Sequence, residues 1–179
     1  MANKIIAMNP EYVVLVDEHD KELGTMEKLQ AHREGKLHRA ISVFIFNSQK
    51  KLLLQKRTTN KYHSAGLWTN TCCSHPYPNE TPGNAATRRL QEEMGLVCKL
   101  HHVFSFTYSA KFENNLSEHE FDHVFFGTSD TVPKPNPEEV SEWKYADMQE
   151  IETQLKQNPE QFTVWFKLIF ERVKSQIKK

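Results

Sequence analysis

Between Trp68 and Gly95 the chain passes from an extended segment to a helix with almost no slack, and that passage constrains everything around it. Trp68-Thr69-Asn70-Thr71-Cys72-Cys73-Ser74-His75-Pro76 puts a thiol two residues before an imidazole. If Thr71 to His75 is extended, alternate side chains share a face, so Cys73 and His75 point one way and Cys72 the other. Asn79 to Gly83 reads as a turn, and Asn84 to Met94 as an acidic, arginine-bearing helix stopped by Gly95. A strand that aims a thiol and an imidazole into one cavity can join proton transfer to metal chemistry.

The remainder of the chain supplies strands and a few helices. Glu11 to Val16 reads as a strand ended by the polar Asp17–Glu22 turn, and Thr25 as the cap of a short helix through Arg33 that Gly35 stops. Ile41 to Asn47 and Lys51 to Arg57 read as strands joined by a Ser48-Gln49-Lys50 hairpin. Val103–Ala110 and Glu118–Thr128 are rich in aromatic and β-branched residues, which favours strands. Pro133 to Pro137 is a loop, Asp147 opens a helix to Gln157, and Pro159 starts the last one. There Phe162, Trp165, Phe166, Ile169, Phe170, Val173 and Ile177 follow the helical period. The expected fold is α+β, with mixed β-sheets flanked by helices in a single compact domain over residues 1–179. Residues 1–10 form an N-terminal extension and 160–177 a C-terminal helix packed on the core.

Bulk properties narrow the partners. With 23 basic and 23 acidic residues the formal charge is zero, so no global field points to nucleic acid or membrane. Any anion site must be built locally. Three cysteines, two of them adjacent, make a poor disulfide framework and point to a reducing, cytoplasmic setting. Met1 to Met8 is too short an apolar run for a signal peptide, and no apolar stretch reaches membrane-spanning length. No exposed apolar helix demands a partner, so a monomer is expected.

Three of the nine histidines stand out by context: His32 near the end of the first helix, His38 before a strand, and His75. Alone, each reads as a solvated surface residue. Glu118 and Glu120 change that reading, because residues two apart on a strand share a face. Three imidazoles and two carboxylates form a mixed N/O set that suits Zn²⁺, Mn²⁺ or Mg²⁺. Arg57, Lys61, Arg89 and Lys28 are the cations that could complete an anion cradle. Trp165 lies on the apolar stripe of the last helix, where a core role competes with a π face offered to a cation. Tyr108 is either a sheet residue or a phenol tuning a neighbouring carboxylate. Cys72 and Cys98 read as small core residues.

From Ser74 to Leu96 the chain resembles the Nudix signature, G-x5-E-x7-R-E-U-x-E-E-x-G-U, where U is a bulky aliphatic. The matching positions are Ser74, Glu80, Arg88, Arg89, Leu90, Glu92, Glu93, Gly95 and Leu96. Serine stands for the first glycine, and Arg89 for the glutamate after the first arginine. That motif presents carboxylates to Mg²⁺ on a diphosphate. Replacing one carboxylate by arginine removes a ligand and adds a fork-shaped phosphate donor, which favours holding a diphosphate over hydrolysing it.

Together with Leu37-His38-Arg39-Ala40, Glu118-His119-Glu120 and the Thr69–Pro76 segment, this altered helix makes the chain similar to the type 1 isopentenyl-diphosphate isomerases, a metal-dependent offshoot of the Nudix fold. The resemblance runs from Tyr12 to Arg172. It implies that Cys73 and Glu120 are the catalytic pair, and that His32, His38, His75, Glu118 and Glu120 bind one divalent metal, Mn²⁺, Zn²⁺ or Mg²⁺. It also implies that Glu93 and the backbone carbonyl of Cys73 hold a Mg²⁺ shared with substrate diphosphate. Lys28, Arg57, Lys61 and Arg89 match diphosphate-contacting positions, and Tyr108 and Trp165 the aromatic residues near the reacting carbons. The implied reaction interconverts isopentenyl and dimethylallyl diphosphate, by protonation at C4 and deprotonation at C2 through a tertiary carbocation. A Nudix hydrolase and a non-catalytic diphosphate-binding module are the rivals. Arg89 and the Cys73–His75 pair speak against the first, and the second leaves Cys73 and Tyr108 without a task.

Overall fold

Strand β3 (His38–Phe46) organises the molecule, because its even-numbered and odd-numbered residues bury against different layers. Ile41, Val43 and Ile45 face one core and Phe44 and Phe46 the other. The computed structural model describes residues 11–61, 63–112 and 115–177; the expected extension over 1–10 lies outside them. All nine strands join one sheet. One edge of β3 pairs in parallel with β8 (Ser117–Thr128) along its whole length. The other edge is shared: β1 (Tyr12–Val16) at His38, β6 (Cys72–Ser74) at Ile41–Val43, and β4 (Leu52–Arg57) at Phe46. The Ser48–Lys50 turn forms as expected, yet β3 and β4 pair only at Phe46 and Leu52. From there β4 leaves to pair with β9 (Val140–Ala146) and with β5 (Trp68–Thr69). β7 (Leu100–Lys111) closes the far side as an antiparallel partner of β8.

Helices cover the two faces. The helix α2 (Pro82–Met94) packs Ala85, Ala86, Leu90 and Met94 on Ile41, Val43, Ile45 and Leu53. It begins two residues earlier than expected, because Pro82 sits in its first turn and Thr81 caps it by accepting from the Asn84 N–H. On the other face α4 (Val164–Ile177) sets Trp165, Phe166, Ile169, Phe170 and Val173 against Phe44, Leu54 and Phe126. Each fully buried side chain of this size contributes about 1.5–3 kcal/mol. The last helix does not start at Pro159: Pro159–Gln161 is a single 3-10 turn. Thr163 then donates its N–H to the Trp68 carbonyl, holding Phe162 and Thr163 extended before α4. α3 (Met148–Gln157) is as expected from Asp147.

Two strands escape a reading by pattern. β2 (Glu22–Glu27) is an exposed, polar edge strand that exists because its backbone pairs with β1. It absorbs Thr25, so the short helix α1 (Lys28–Glu34) is capped instead by Glu27, whose carboxylate accepts from the N–H groups of Leu29 and Gln30. Gly35 ends α1 at φ 62°, as expected. The other, β9, mixes buried Val140 and Ala146 with exposed Ser141 and Glu142 and is formed by its ladder with β4.

Candidate active site

Along one face of β8 run Glu118, Glu120, Asp122, Val124 and Phe126. The last two belong to the aromatic core beneath α4, whereas Glu118, Glu120 and Asp122 are buried carboxyls. The site therefore occupies one end of a face whose other end is core. β3 and β8 are in register at His38 and Glu120, and β7 and β8 at Tyr108 and Glu120. Cys73 lies opposite Ser42 and Cys72 opposite Val43. Cys73 thus packs on the α4 side and Cys72 in the core under α2, as the alternation requires.

His32, His38, His75, Glu118 and Glu120 each offer one ligand atom, and all these atoms lie within 4.8 Å of one another. His38 Nε2 is 3.2 Å from His75 Nε2, His75 Nε2 is 2.9 Å from Glu120 Oε1, and His32 Nε2 is 3.2 Å from Glu118 Oε2. Neighbouring ligands of an octahedral ion with metal–nitrogen bonds near 2.1 Å stand about 3 Å apart, so the spacing fits a divalent metal. Tautomers agree. His32 Nδ1 donates to the Lys28 carbonyl at 2.6 Å and His38 Nδ1 to the Lys36 carbonyl at 2.8 Å, so each ring in its neutral form presents its Nε2 lone pair inward. Burial drives His38 down to about 4 and His75 well below the ordinary histidine range, keeping both neutral and able to ligate. The chain therefore carries a divalent-metal site built from α1, β3, β8 and the residue after β6.

Beside this cluster, one cavity is lined by Lys28, Arg57, Lys61, Arg89, Cys73, His75, Glu93, Tyr108, Glu118, Glu120 and Trp165. His32 and His38 are fully buried behind its wall. Every side chain expected to take a catalytic, metal-binding or diphosphate-binding part thus lines this cavity or belongs to the cluster beside it. Burial pushes the Cys73 thiol up to about 12, so it is a neutral S–H at physiological pH. Burial, and then the charge of Glu118, raises the Glu120 carboxyl well above the usual carboxylate range. Glu118 goes the other way: burial opposes its ionisation, but the imidazoles of His32 and His63 against its two oxygens hold it well below the usual carboxylate range. Such a pair keeps one proton between two carboxyls. The Tyr108 hydroxyl donates to Glu120 Oε2 at 2.7 Å.

Three of the four cations are held by carboxylates. Lys28 pairs with Glu11 at 2.8 Å, Lys61 with Glu139, and Arg89 with Glu92 and Glu93 at 2.7 Å and Glu139 at 3.3 Å. Arg57 lies over the Trp165 ring, 5.3 Å from its centroid, and donates to the carbonyls of His63 and Ser64. Three lining residues were missed in the sequence, Gln55, His63 and Glu139, and Ser74 was read only as the position of the signature's first glycine. Gln55 bridges the Thr71 carbonyl to Glu93, each at 2.9 Å. His63 Nε2 lies 2.9 Å from Glu118 Oε1. No local pattern announces these long-range pairings; only the position of His63 two residues after Lys61 hinted at one.

The fold and its buried cluster define the class first: a NUDIX domain matches residues 36–166. Solved structures agree on the fold. The crystal structure of DR0079 from Deinococcus radiodurans superposes with a TM-score of 0.77 at 21% identity, over 90% of this chain and 98% of that one. The NUDIX domain of Shewanella oneidensis NrtR, complexed with ADP ribose, gives 0.61 at 13% identity, over 79% and 87%. Much closer in sequence is isopentenyl-diphosphate Delta-isomerase 1 of Aromatoleum aromaticum, 59% identical over 138 residues, 77% of this chain and 78% of that one. The isopentenyl-diphosphate Delta-isomerase of Pectobacterium atrosepticum is 58% identical over 139 residues, 78% of each. The chain belongs to the isopentenyl-diphosphate Delta-isomerase family of NUDIX-domain proteins. Among the described residues no helix is long and apolar enough to cross a membrane.

Proposed function

We infer that this site interconverts isopentenyl diphosphate and dimethylallyl diphosphate, adding a proton at C4 and removing one at C2. The observation that carries the reading is the delivery of two proton-exchanging groups, the Cys73 thiol and the Glu120 carboxyl, to one cavity from strands on opposite edges of β3, so that one donates to C4 while the other, in its basic form, accepts from C2. An unactivated alkene is a poor base, so each proton must be handled by a positioned acid or base. Cys73 and Glu120 take one exchange each. Tyr108 holds the Glu120 carboxyl through its second oxygen. The tertiary carbocation between the two steps is stabilised by the π face of Trp165, an interaction worth about 2 kcal/mol when desolvated. Buried Tyr108 and Trp165, beside half-buried Cys73, limit access of water that would trap the cation as an alcohol. A divalent ion in the histidine cluster, when bound, supplies positive charge that orients and acidifies the carboxyl it touches.

Lys28, Arg57, Lys61 and Arg89 hold the substrate diphosphate, and the present carboxylate partners of Lys28, Lys61 and Arg89 give way to its oxygens. Glu93, with the Cys73 carbonyl, holds a Mg²⁺ that the diphosphate shares. Because Arg89 stands where the hydrolytic motif has a carboxylate, the diphosphate is held intact. The protein acts as a cytoplasmic monomer on this small molecule, with no nucleic-acid or membrane partner. Purified protein given Mg²⁺ and Mn²⁺ or Zn²⁺ is expected to turn isopentenyl diphosphate into dimethylallyl diphosphate with no phosphate released. Phosphate release from nucleoside diphosphate derivatives, with no alkene shift, would contradict this reading.

A further inference from the structure

His63 is the one imidazole in the cavity wall that is outside the five-residue metal cluster. Its ring is buried, stacked on Phe112 with centroids 4.9 Å apart and an interplanar angle of 16°, and set edge-on to Trp165 at 6.0 Å. These two aromatic contacts fix the ring plane. Within that plane Nε2 meets Glu118 Oε1 at 2.9 Å, and Nδ1 lies 3.3 Å from the Ser64 hydroxyl. A carboxylate oxygen can only accept, so Nε2 carries the proton and Nδ1 accepts from Ser64. The other oxygen of the same carboxylate, Oε2, is the one beside His32 Nε2. One carboxylate is thus divided between two imidazoles, one from the metal cluster and one from the cavity wall.

We propose that His63 is a positioning residue for the metal centre: by donating to Glu118 Oε1 it fixes the carboxylate so that Oε2 faces the other ligands. A carboxylate on an extended strand can rotate about its terminal torsions, and any ligand that must be ordered at the moment of binding loses affinity. Holding the outer oxygen removes that freedom before the ion arrives, which is the usual work of a ligand's hydrogen-bonded partner. The placement has a second consequence. His63 belongs to the segment between β4 and β5 that also carries Lys61, and its carbonyl accepts from Arg57. The segment that carries Lys61 is therefore tied to the metal cluster by the His63–Glu118 hydrogen bond. His63 has this role only if the cluster binds a metal, as argued above.

The test is calorimetric titration of metal-stripped full-length protein with Mn²⁺, for wild type, His63→Phe and His63→Gln. Phenylalanine keeps the ring packing and removes the donor; glutamine places an N–H near the former Nε2. Wild type binding with His63→Phe weakened 10- to 100-fold, and His63→Gln recovering most of the loss, is the expected result. Equal affinity in wild type and His63→Phe overturns the proposal, as does a glutamine variant as weak as phenylalanine, because packing alone would then account for the loss. Failure of wild type to bind Mn²⁺, Zn²⁺ or Mg²⁺ would instead overturn the metal site itself. A measurement on unaltered protein stands beside these: ¹⁵N spectra of the metal-stripped form at neutral pH should show the His63 proton on Nε2, and a proton on Nδ1 alone would overturn the assignment.

Discussion

Cys72 and Cys73 are adjacent, chemically identical and assigned to opposite sides of one strand. The assignment from alternation is matched in the structure, where Cys72 lies in the α2 core and Cys73 on the cavity wall. Replacing Cys73 by alanine should lower turnover at least about a hundredfold, the scale of a lost general acid or base. Cys72→Ala should retain most turnover and show only a small drop in melting temperature. Steady-state rates of the two variants, measured beside wild type, decide the matter. Arg88 and Glu80 give a second residue-scale prediction. The Arg88 guanidinium, at 2.7 Å, and the Tyr77 N–H, at 2.8 Å, hold the Glu80 carboxyl below the usual range. A depressed carboxylate contributes stability above its unfolded pKa and loses it as pH falls through the folded one. Wild type should therefore exceed Glu80→Gln in denaturant midpoint near pH 7, with the gap closing on acidification below about pH 4.5. A gap that stays constant with pH would mean that this pair contributes nothing by charge.

At the scale of elements, α2 shows what the altered signature is for. Leu90 and Leu96 are buried under the sheet, Arg88 ties the helix to Glu80, and Arg89 and Glu93 face the cavity. Gly95 stops the helix at φ 64°, and a Cβ built there would stand 2.5 Å from the Lys134 carbonyl oxygen. That loop is also stitched to the helix end by Lys134 N–H to Met94 and Asn136 N–H to Glu93, each at 2.9 Å. Gly95→Ala should thus cost about 2 kcal/mol or more, from strain plus the clash. Gly83→Ala, whose Cβ would meet nothing closer than 3.9 Å and whose backbone is helical, should lie within about 1 kcal/mol of wild type. Urea denaturation of both variants reads the difference. The long apolar elements were legible because period and composition agree in them. β2 and β9 were not: β2 is polar, β9 mixes polar and apolar residues, and both are peripheral strands completed by their partners' hydrogen bonds.

For the whole molecule, the metal cluster collects donors that are up to 88 positions apart in the chain, from His32 to Glu120. The sequence could supply the residue types and their faces, but their convergence depends on β3 bordering both β6 and β8. His63, Gln55 and Glu139 were invisible for the same reason: each acts through a partner from another element. The fold brings one thiol, one carboxyl and four cations to the wall of a single cavity, and in the proposed reading the first two each handle a carbon-bound proton while the cations hold the diphosphate. The direct test is to incubate the metal-loaded enzyme with isopentenyl diphosphate in D₂O and follow the carbons and phosphorus by NMR. The account predicts dimethylallyl diphosphate carrying deuterium in the methyl group derived from C4, with both phosphorus signals remaining those of an intact diphosphate ester. Appearance of inorganic phosphate or pyrophosphate, with no deuterium at any carbon, would contradict it.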